Sequence, residues 1–321
     1  MNSHLNPEPF RPAPPRLVHT PMNTVVKIGS MVLPNPILVA SGTFGNGEEM
    51  NELIDLRRLG GIVMKGTTLK PRQGNESSRV VETPAGLLNS IGLQNPGIDE
   101  TLRVKAPFIK QFGIPALINI SAESAEDYGE MAALAGACSH IDAIEMNVSC
   151  PNVKQGGMAF GTNEKMLAEA VKRARAATAK PLIVKLSPNV TDIALMARVA
   201  EEHGADAVSL INTLVGMVID TKRRKPVLAN KIGGLSGPAV RPVAVRMTWQ
   251  VAKAVTIPVI GMGGIEKLDD ALQFFIAGAC AVQVGTATFY NPAAAVEIID
   301  ALDAYLQQHG FESHLDLRGA F

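Results

Sequence analysis

From Pro36 to Ala287 the chain repeats one pattern: a short apolar run rich in Val and Ile, then a longer stretch with apolar residues spaced three and four apart. The runs are Pro36–Ala40, Gly61–Thr67, Pro115–Ser121, Ala143–Cys150, Pro181–Pro188, Ala207–Thr213, Pro258–Gly264 and Ala281–Ala287. Most are continuously apolar rather than alternating, the mark of strands buried on both faces and hence of parallel sheet. The intervening stretches predict helices over Glu48–Arg58, Asp99–Phe112, Ala125–Ala137, Glu164–Thr178, Asp192–His203, Val240–Val255, Lys267–Ala277 and Ala293–His309, with Gly60, Gly113, Gly204, Gly278 and Gly310 placed to cap several of them. Eight such units close into a (β/α)8 TIM barrel. A doubly wound open sheet gives the same alternation. The strand count, and the lack of a G-x-G-x-x-G turn after the first strand, favour the barrel. Thr24–Ile28 and Met31–Pro34, separated by Gly29 and Ser30, read as an N-terminal β-hairpin closing its bottom. The connections 68–97 and 214–238 exceed simple barrel turns and read as inserted loops at the C-terminal face, where barrels carry their chemistry.

Composition narrows the function. In 321 residues, 46% are hydrophobic and regularly spaced, which predicts one domain over 22–321. Residues 1–21 read as an arm, in which six prolines argue against a membrane-anchoring helix. Lys plus Arg equals Asp plus Glu at 30 each, so no overall field holds nucleic acid, and any anion site must be local. No apolar stretch is long enough to span a membrane and no export signal is evident, which predicts a cytoplasmic protein. Cys138, Cys150 and Cys280 are too scattered for a metal centre, an iron–sulfur cluster or a disulfide scaffold.

The ends of the predicted strands carry an unusual share of polar residues. They read Ala40-Ser41-Gly42, Lys65-Gly66-Thr67, Asn119, Asn147-Val148-Ser149-Cys150, Lys185, Asn212-Thr213, Gly263-Gly264 and Gly285-Thr286. A lone buried Asn or Lys is usually a paired core residue, but three Asn and two Lys at equivalent barrel positions argue for a site. Turn geometry alone explains either glycine pair. Two adjacent loops with the same character, and Gly234-Leu235-Ser236-Gly237 nearby, favour a phosphate on backbone amides. Cys138 and Cys280 read as inert core. Cys150 sits on a loop after the fourth strand, followed by Pro151 and flanked by Asn147 and Asn152. No His follows it as a papain-type partner, so proton abstraction is favoured over acyl transfer.

Six blocks in order resemble the catalytic subunit of class 1B dihydroorotate dehydrogenases. They are Lys65–Leu69, Asn89–Gly97, N-V-S-C-P-N-V-K-Q-G-G at 147–157, Gly234–Ala239, Gly261–Ile265 and Ala281–Ala287, within a similarity running from Val25 to Leu302. The resemblance implies one FMN per chain, with Ala40, Ser41, Lys65, Gly66, Asn119, Asn147, Lys185 and Ile211 around the ring and ribityl chain, and Gly237, Gly263, Gly264, Gly285 and Thr286 at the phosphate. It implies substrate contacts from Lys65, Asn89, Ile91, Gly92, Leu93, Asn147, Asn152, Asn212 and Thr213, with Cys150 as the base that turns dihydroorotate into orotate. It further implies a homodimer flanked by electron-transfer subunits, a heterotetramer in which FAD and an iron–sulfur cluster sit on the partner and NAD is reduced there. Strand alternation places Glu145 one layer below the flavin, where pairing with Lys185 is expected.

One block departs from the pattern. Gly74-Asn75-Glu76-Ser77-Ser78-Arg79 stands where the family has G-N-P-x-P-R, keeping Asn75 and Arg79 and losing both prolines. Three readings compete: a stand-alone fumarate-linked enzyme, a dihydropyrimidine dehydrogenase-like domain, against which Asn152 argues, and a non-catalytic barrel that only senses a nucleotide. The membrane-bound, quinone-using class resembles it less, because the base there is a serine.

Overall fold

A computed structural model describes residues 22–148 and 157–320. The chain opens with an antiparallel hairpin, β1 (Val26–Ile28) and β2 (Met31–Leu33). Eight parallel strands then close a barrel: β3 (Ile37–Val39), β4 (Gly61–Val63), β7 (Ala116–Ile120), β8 (Ala143–Asn147), β9 (Leu182–Lys185), β10 (Ala207–Leu210), β15 (Val259–Met262) and β16 (Ala281–Val284), with β16 returning to pair with β3. All eight predicted runs are barrel strands, trimmed at their ends, and the fold class is a (β/α)8 barrel as read.

The barrel interior is layered. Hairpin residues Val26, Ile28, Met31 and Leu33 pack in one cluster with Leu38, Val63, Leu117, Ala143, Ile183, Ala207, Ile260 and Ala281, forming an apolar plug. Burying a Leu or Ile fully is worth about 1.5–3 kcal/mol, so this plug stiffens the frame on which the strand ends are mounted. The main core lies between the sheet and the outer helices.

Helices form where spacing and caps agree. α3 (Ala125–Ala137), α5 (Glu164–Ala177), α6 (Ile193–Glu202), α7 (Arg241–Ala252), α8 (Leu268–Ile276) and α9 (Ala294–His309) lie within the predicted stretches. In α5 the buried residues Leu167, Ala170, Val171 and Ala174 make one stripe, and Asn163 caps it by accepting a hydrogen bond from the Met166 amide at 3.1 Å. A short helix, α4 (Gly157–Thr162), precedes it.

Two predicted helices differ. Glu48–Arg58 forms only short 3-10 turns at Met50–Glu52 and Leu56–Arg58. Asp55 between them is extended, and its carboxylate takes the Arg57 amide and guanidinium, a local bond that competes with helix continuation. The segment expected as Asp99–Phe112 is helical as α1 (Ile98–Glu100), a π-turn over Thr101–Lys105 and α2 (Ala106–Lys110). Pro107 at the start of α2 has no N–H to continue a regular ladder. Gly60, expected as a cap, instead lets strands approach: a Cβ there would lie 2.3 Å from the Asn35 carbonyl.

The two long connections are folded. They supply β5 (Val80–Thr83), β6 (Gly86–Asn89), β11 (Leu214–Gly216), β12 (Ile219–Asp220), β13 (Lys225–Pro226) and β14 (Gly233–Ser236). Four of these make an antiparallel sheet in the order β11-β14-β6-β5, joining the loop after β4 to the loop after β10.

Candidate active site

The strand ends and this added sheet enclose a cavity of about 520 Å³. Every described residue expected at the site lines it: Ala40, Ser41, Lys65, Gly66, Asn89, Ile91, Gly92, Leu93, Asn119, Asn147, Lys185, Ile211, Asn212, Thr213, Gly237, Gly263, Gly264, Gly285 and Thr286. Cys150 and Asn152 lie outside the described residues. Cys150 follows Asn147, the last residue of β8, by three positions in the chain.

Local bonds hold the polar groups in place. Lys185 at the end of β9 is 5% exposed, and its ammonium is 3.4 Å from the Ser41 hydroxyl. Asn212 donates to the Asn147 side-chain oxygen at 3.1 Å, while the Asn147 carbonyl accepts from the Tyr128 hydroxyl at 2.8 Å. Asn89 donates to the Gly234 carbonyl across the β6–β14 pair. The Lys65 amide is anchored by Gly45 and Asn46.

The altered loop supports the segment that follows it through the two residues it retains. Asn75 donates to the Ser90 carbonyl from its side chain and to the Ile91 carbonyl from its backbone, both at 2.9 Å. Arg79 binds the Gln94 side chain at 2.6 Å. Gly92 has φ +77°, and a Cβ on it would meet Asn75 at 2.6 Å. The missing prolines therefore leave the fastening of Asn89–Gln94 intact.

Three glycine-bearing loops meet beside one another. A Cβ on Gly264 would come within 2.7 Å of the Gly237 carbonyl, and one on Gly237 within 3.6 Å of the Thr286 methyl. The Thr286 hydroxyl donates to that of Ser236 at 2.9 Å. Such a cluster of backbone amides and hydroxyls suits a phosphate.

The floor of the cavity corrects one expectation. Glu145, fully buried in β8, does not pair with Lys185; no ion pair joins them among the described residues. Its carboxylate instead accepts from the Asn119 amide at 2.7 Å and from Ser209 and the Gln283 amide at 2.8 Å each. Alternation gave the right layer but the wrong neighbour, because inward side chains from β7, β10 and β16 meet across the barrel axis. Gln283, Arg79, Gln94, Met262 and Phe289 also line the cavity and were not singled out as site residues from the sequence. Gln283 had a signal: it is the one polar residue in the strand Ala-Val-Gln-Val.

The dihydroorotate dehydrogenase family profile matches residues 24–306. The chain belongs to the dihydroorotate dehydrogenase family. A relative from Desulforamulus reducens named "Dihydroorotate dehydrogenase B (NAD(+)), catalytic subunit" is 56% identical over 299 residues, covering 93% of this chain and 98% of its own. Relatives of the same name from Trichlorobacter lovleyi and Bacteroides thetaiotaomicron are 55% and 53% identical over 295 residues, each covering 92% of this chain and 97% of its own. The class 1B resemblance read from the six sequence blocks is thereby borne out. Among the described residues, no helix of this family member is long and apolar enough to cross a membrane.

Proposed function

We infer that this chain is the catalytic subunit of an NAD-linked dihydroorotate dehydrogenase, oxidising (S)-dihydroorotate to orotate in pyrimidine biosynthesis with FMN as its cofactor. The observation that carries the reading is the cavity itself: glycine loops suited to one phosphate, two lysines, and side-chain amides from Asn89, Asn119, Asn147 and Asn212 on one continuous lining. The residues present fit FMN. Its phosphate suits Gly237, Gly263, Gly264, Gly285 and Thr286, and its ring and ribityl chain suit Ala40, Ser41, Lys65, Gly66, Asn119, Asn147, Lys185 and Ile211. When bound, the flavin supplies the hydride acceptor.

The chain's own residues do the rest. Cys150 takes the proton from one ring carbon of the substrate while hydride leaves its neighbour, so the thiol must act as its conjugate base. Lys65 offers the substrate carboxylate a cation. The pyrimidine edge alternates carbonyl and N–H groups, and Asn89, Asn147, Asn152 and Asn212, with Thr213, can match both. Ile91, Gly92 and Leu93 close over the substrate beside them. Lys185 brings positive charge to a ring that gains electrons.

Residues 22–321 act as one catalytic domain in this reading, preceded by the arm 1–21. The electron-transfer partner carries FAD and an iron–sulfur cluster and reduces NAD, in a heterotetramer built on a homodimer of this chain in the cytoplasm. What supports a partner is the relatives' shared name as NAD(+)-linked catalytic subunits. The test is an assay of the chain purified alone, given dihydroorotate with NAD, fumarate or an artificial dye. A yellow protein that reduces only the dye is the expected result. Efficient NAD reduction without a partner would refute the subunit reading, fumarate reduction would move the chain to the stand-alone class, and a colourless protein would refute the flavin.

A further inference from the structure

Asn119 and Gln283 end in the same unusual state. Each is almost fully buried, each turns its amide nitrogen to Glu145, and each leaves its carbonyl oxygen without a hydrogen-bond partner. Both side chains line the cavity. A buried acceptor left unpaired costs free energy, so two of them on one cavity floor mark a place where a ligand donor completes the structure.

Their orientation is not free. A carboxylate offers only acceptors, so an amide that bonds to it must present its NH2 group and point its oxygen elsewhere. Glu145 receives three donors from three strands: Asn119 on β7, Ser209 on β10 and Gln283 on β16. Beneath it lies the apolar plug, which offers no alternative partner. The carboxylate therefore fixes both amides in one of their two possible orientations.

We propose that Glu145 is a positioning residue that locks Asn119 and Gln283 with their carbonyl oxygens toward the cavity, making the barrel floor a pair of acceptors that selects hydrogen-bond donors of the bound cofactor, its ring N–H and ribityl hydroxyls. This rests on the reading of the cavity as a flavin site. It assigns Gln283 a contact that the sequence blocks left without a role. It also gives a role to a carboxylate that sits in the barrel interior with three hydrogen-bond donors and no ion pair among the described residues: its task is to sort the polarity of two amides.

The test exchanges donors for acceptors without changing size. Glu145→Gln puts an NH2 group where three donors converge, so one amide must turn and present N–H to the cavity. Apoprotein of this variant should bind FMN about tenfold or more weakly, read by quenching of flavin fluorescence, because a buried donor then faces a donor. At saturating FMN the bound-flavin absorption bands should shift relative to wild type. The double variant Glu145→Gln with Asn119→Asp restores the pattern, since the new carboxylate accepts from the new carboxamide and turns its second oxygen to the cavity; FMN affinity should recover most of the loss. Gln283→Met, which removes that acceptor, should itself weaken FMN, and adding Glu145→Gln to it should cost less than in the wild-type background. Wild-type affinity in Glu145→Gln, or a double variant no better than the single one, would overturn the proposal. Wild-type apoprotein that fails to take up FMN would overturn the functional reading instead.

Discussion

Gly264 offers a direct test of the glycine loops proposed to hold the phosphate, because its replacement can be separated into a backbone and a contact component within the same molecule. Gly264 has φ +71°, and a Cβ there would meet the Gly237 carbonyl at 2.7 Å, the Arg241 Cβ at 2.9 Å and the Pro238 Cα at 3.0 Å. Gly310, the left-handed cap of α9, has nearly the same φ of +72°, and a Cβ on it would meet nothing within 4 Å. Gly310→Ala should therefore carry the left-handed cost alone, about 1–2 kcal/mol. Gly264→Ala carries that cost plus an overpacking cost of about 1–3 kcal/mol, a total of roughly 2–5 kcal/mol. At roughly 2 °C per kcal/mol for a chain of this size, the melting temperature should fall by roughly 4–10 °C for Gly264→Ala and roughly 2–4 °C for Gly310→Ala. The contact component can be relieved only by parting the Gly264 and Gly237 loops, so FMN affinity should drop by roughly 5- to 150-fold in Gly264→Ala and stay unchanged in Gly310→Ala. Thermal melts of the apoproteins and FMN titrations measure both effects. Equal melting temperatures for the two variants, with equal FMN affinity, would refute the account of the three loops as a single packed cradle.

Other expectations follow from separate parts of the fold. Cys150→Ala should keep FMN and the fold while losing most turnover, with substrate binding affected far less; near wild-type kcat would remove the thiol as base. Cys138→Ala is its control. Burial holds the His314 imidazole below the ordinary histidine range, opposed by its bond to the Cys280 carbonyl, and its other nitrogen is buried without a partner. Its folded pKa lies below the unfolded one, so its contribution is complete above about pH 6.5 and is lost as pH falls below that. Melts from about pH 7.5 to about pH 5 should show a larger loss in wild type than in His314→Gln, and parallel curves would discount the histidine. Burial also pushes the Cys280 thiol up to about 11, so iodoacetamide at neutral pH should modify part-exposed Cys138 and spare Cys280 until the chain is unfolded.

The barrel was legible in the sequence because strands covered on both faces must be continuously apolar, and eight such runs alternating with amphipathic stretches admit few architectures. Polar residues at the strand ends pointed to a candidate site for the same reason: Lys185 and Asn147 break apolar runs, and a buried polar side chain needs a partner or a ligand. Local competition decided what periodicity could not. Asp55 takes the Arg57 amide and replaces a helix with turns, and Pro107 follows a π-turn in the helix entering α2. The four-stranded sheet at the barrel mouth was not legible, since it pairs β6 with β14 across about 145 residues of chain and its strands are only three or four residues long. The same holds for Glu145. Its layer follows from the two-residue period of β8, a property of the sequence, but its partners come from three other strands meeting at the barrel axis. Position along a strand determines which face a side chain takes; closure of the barrel alone decides which side chains that face then meets.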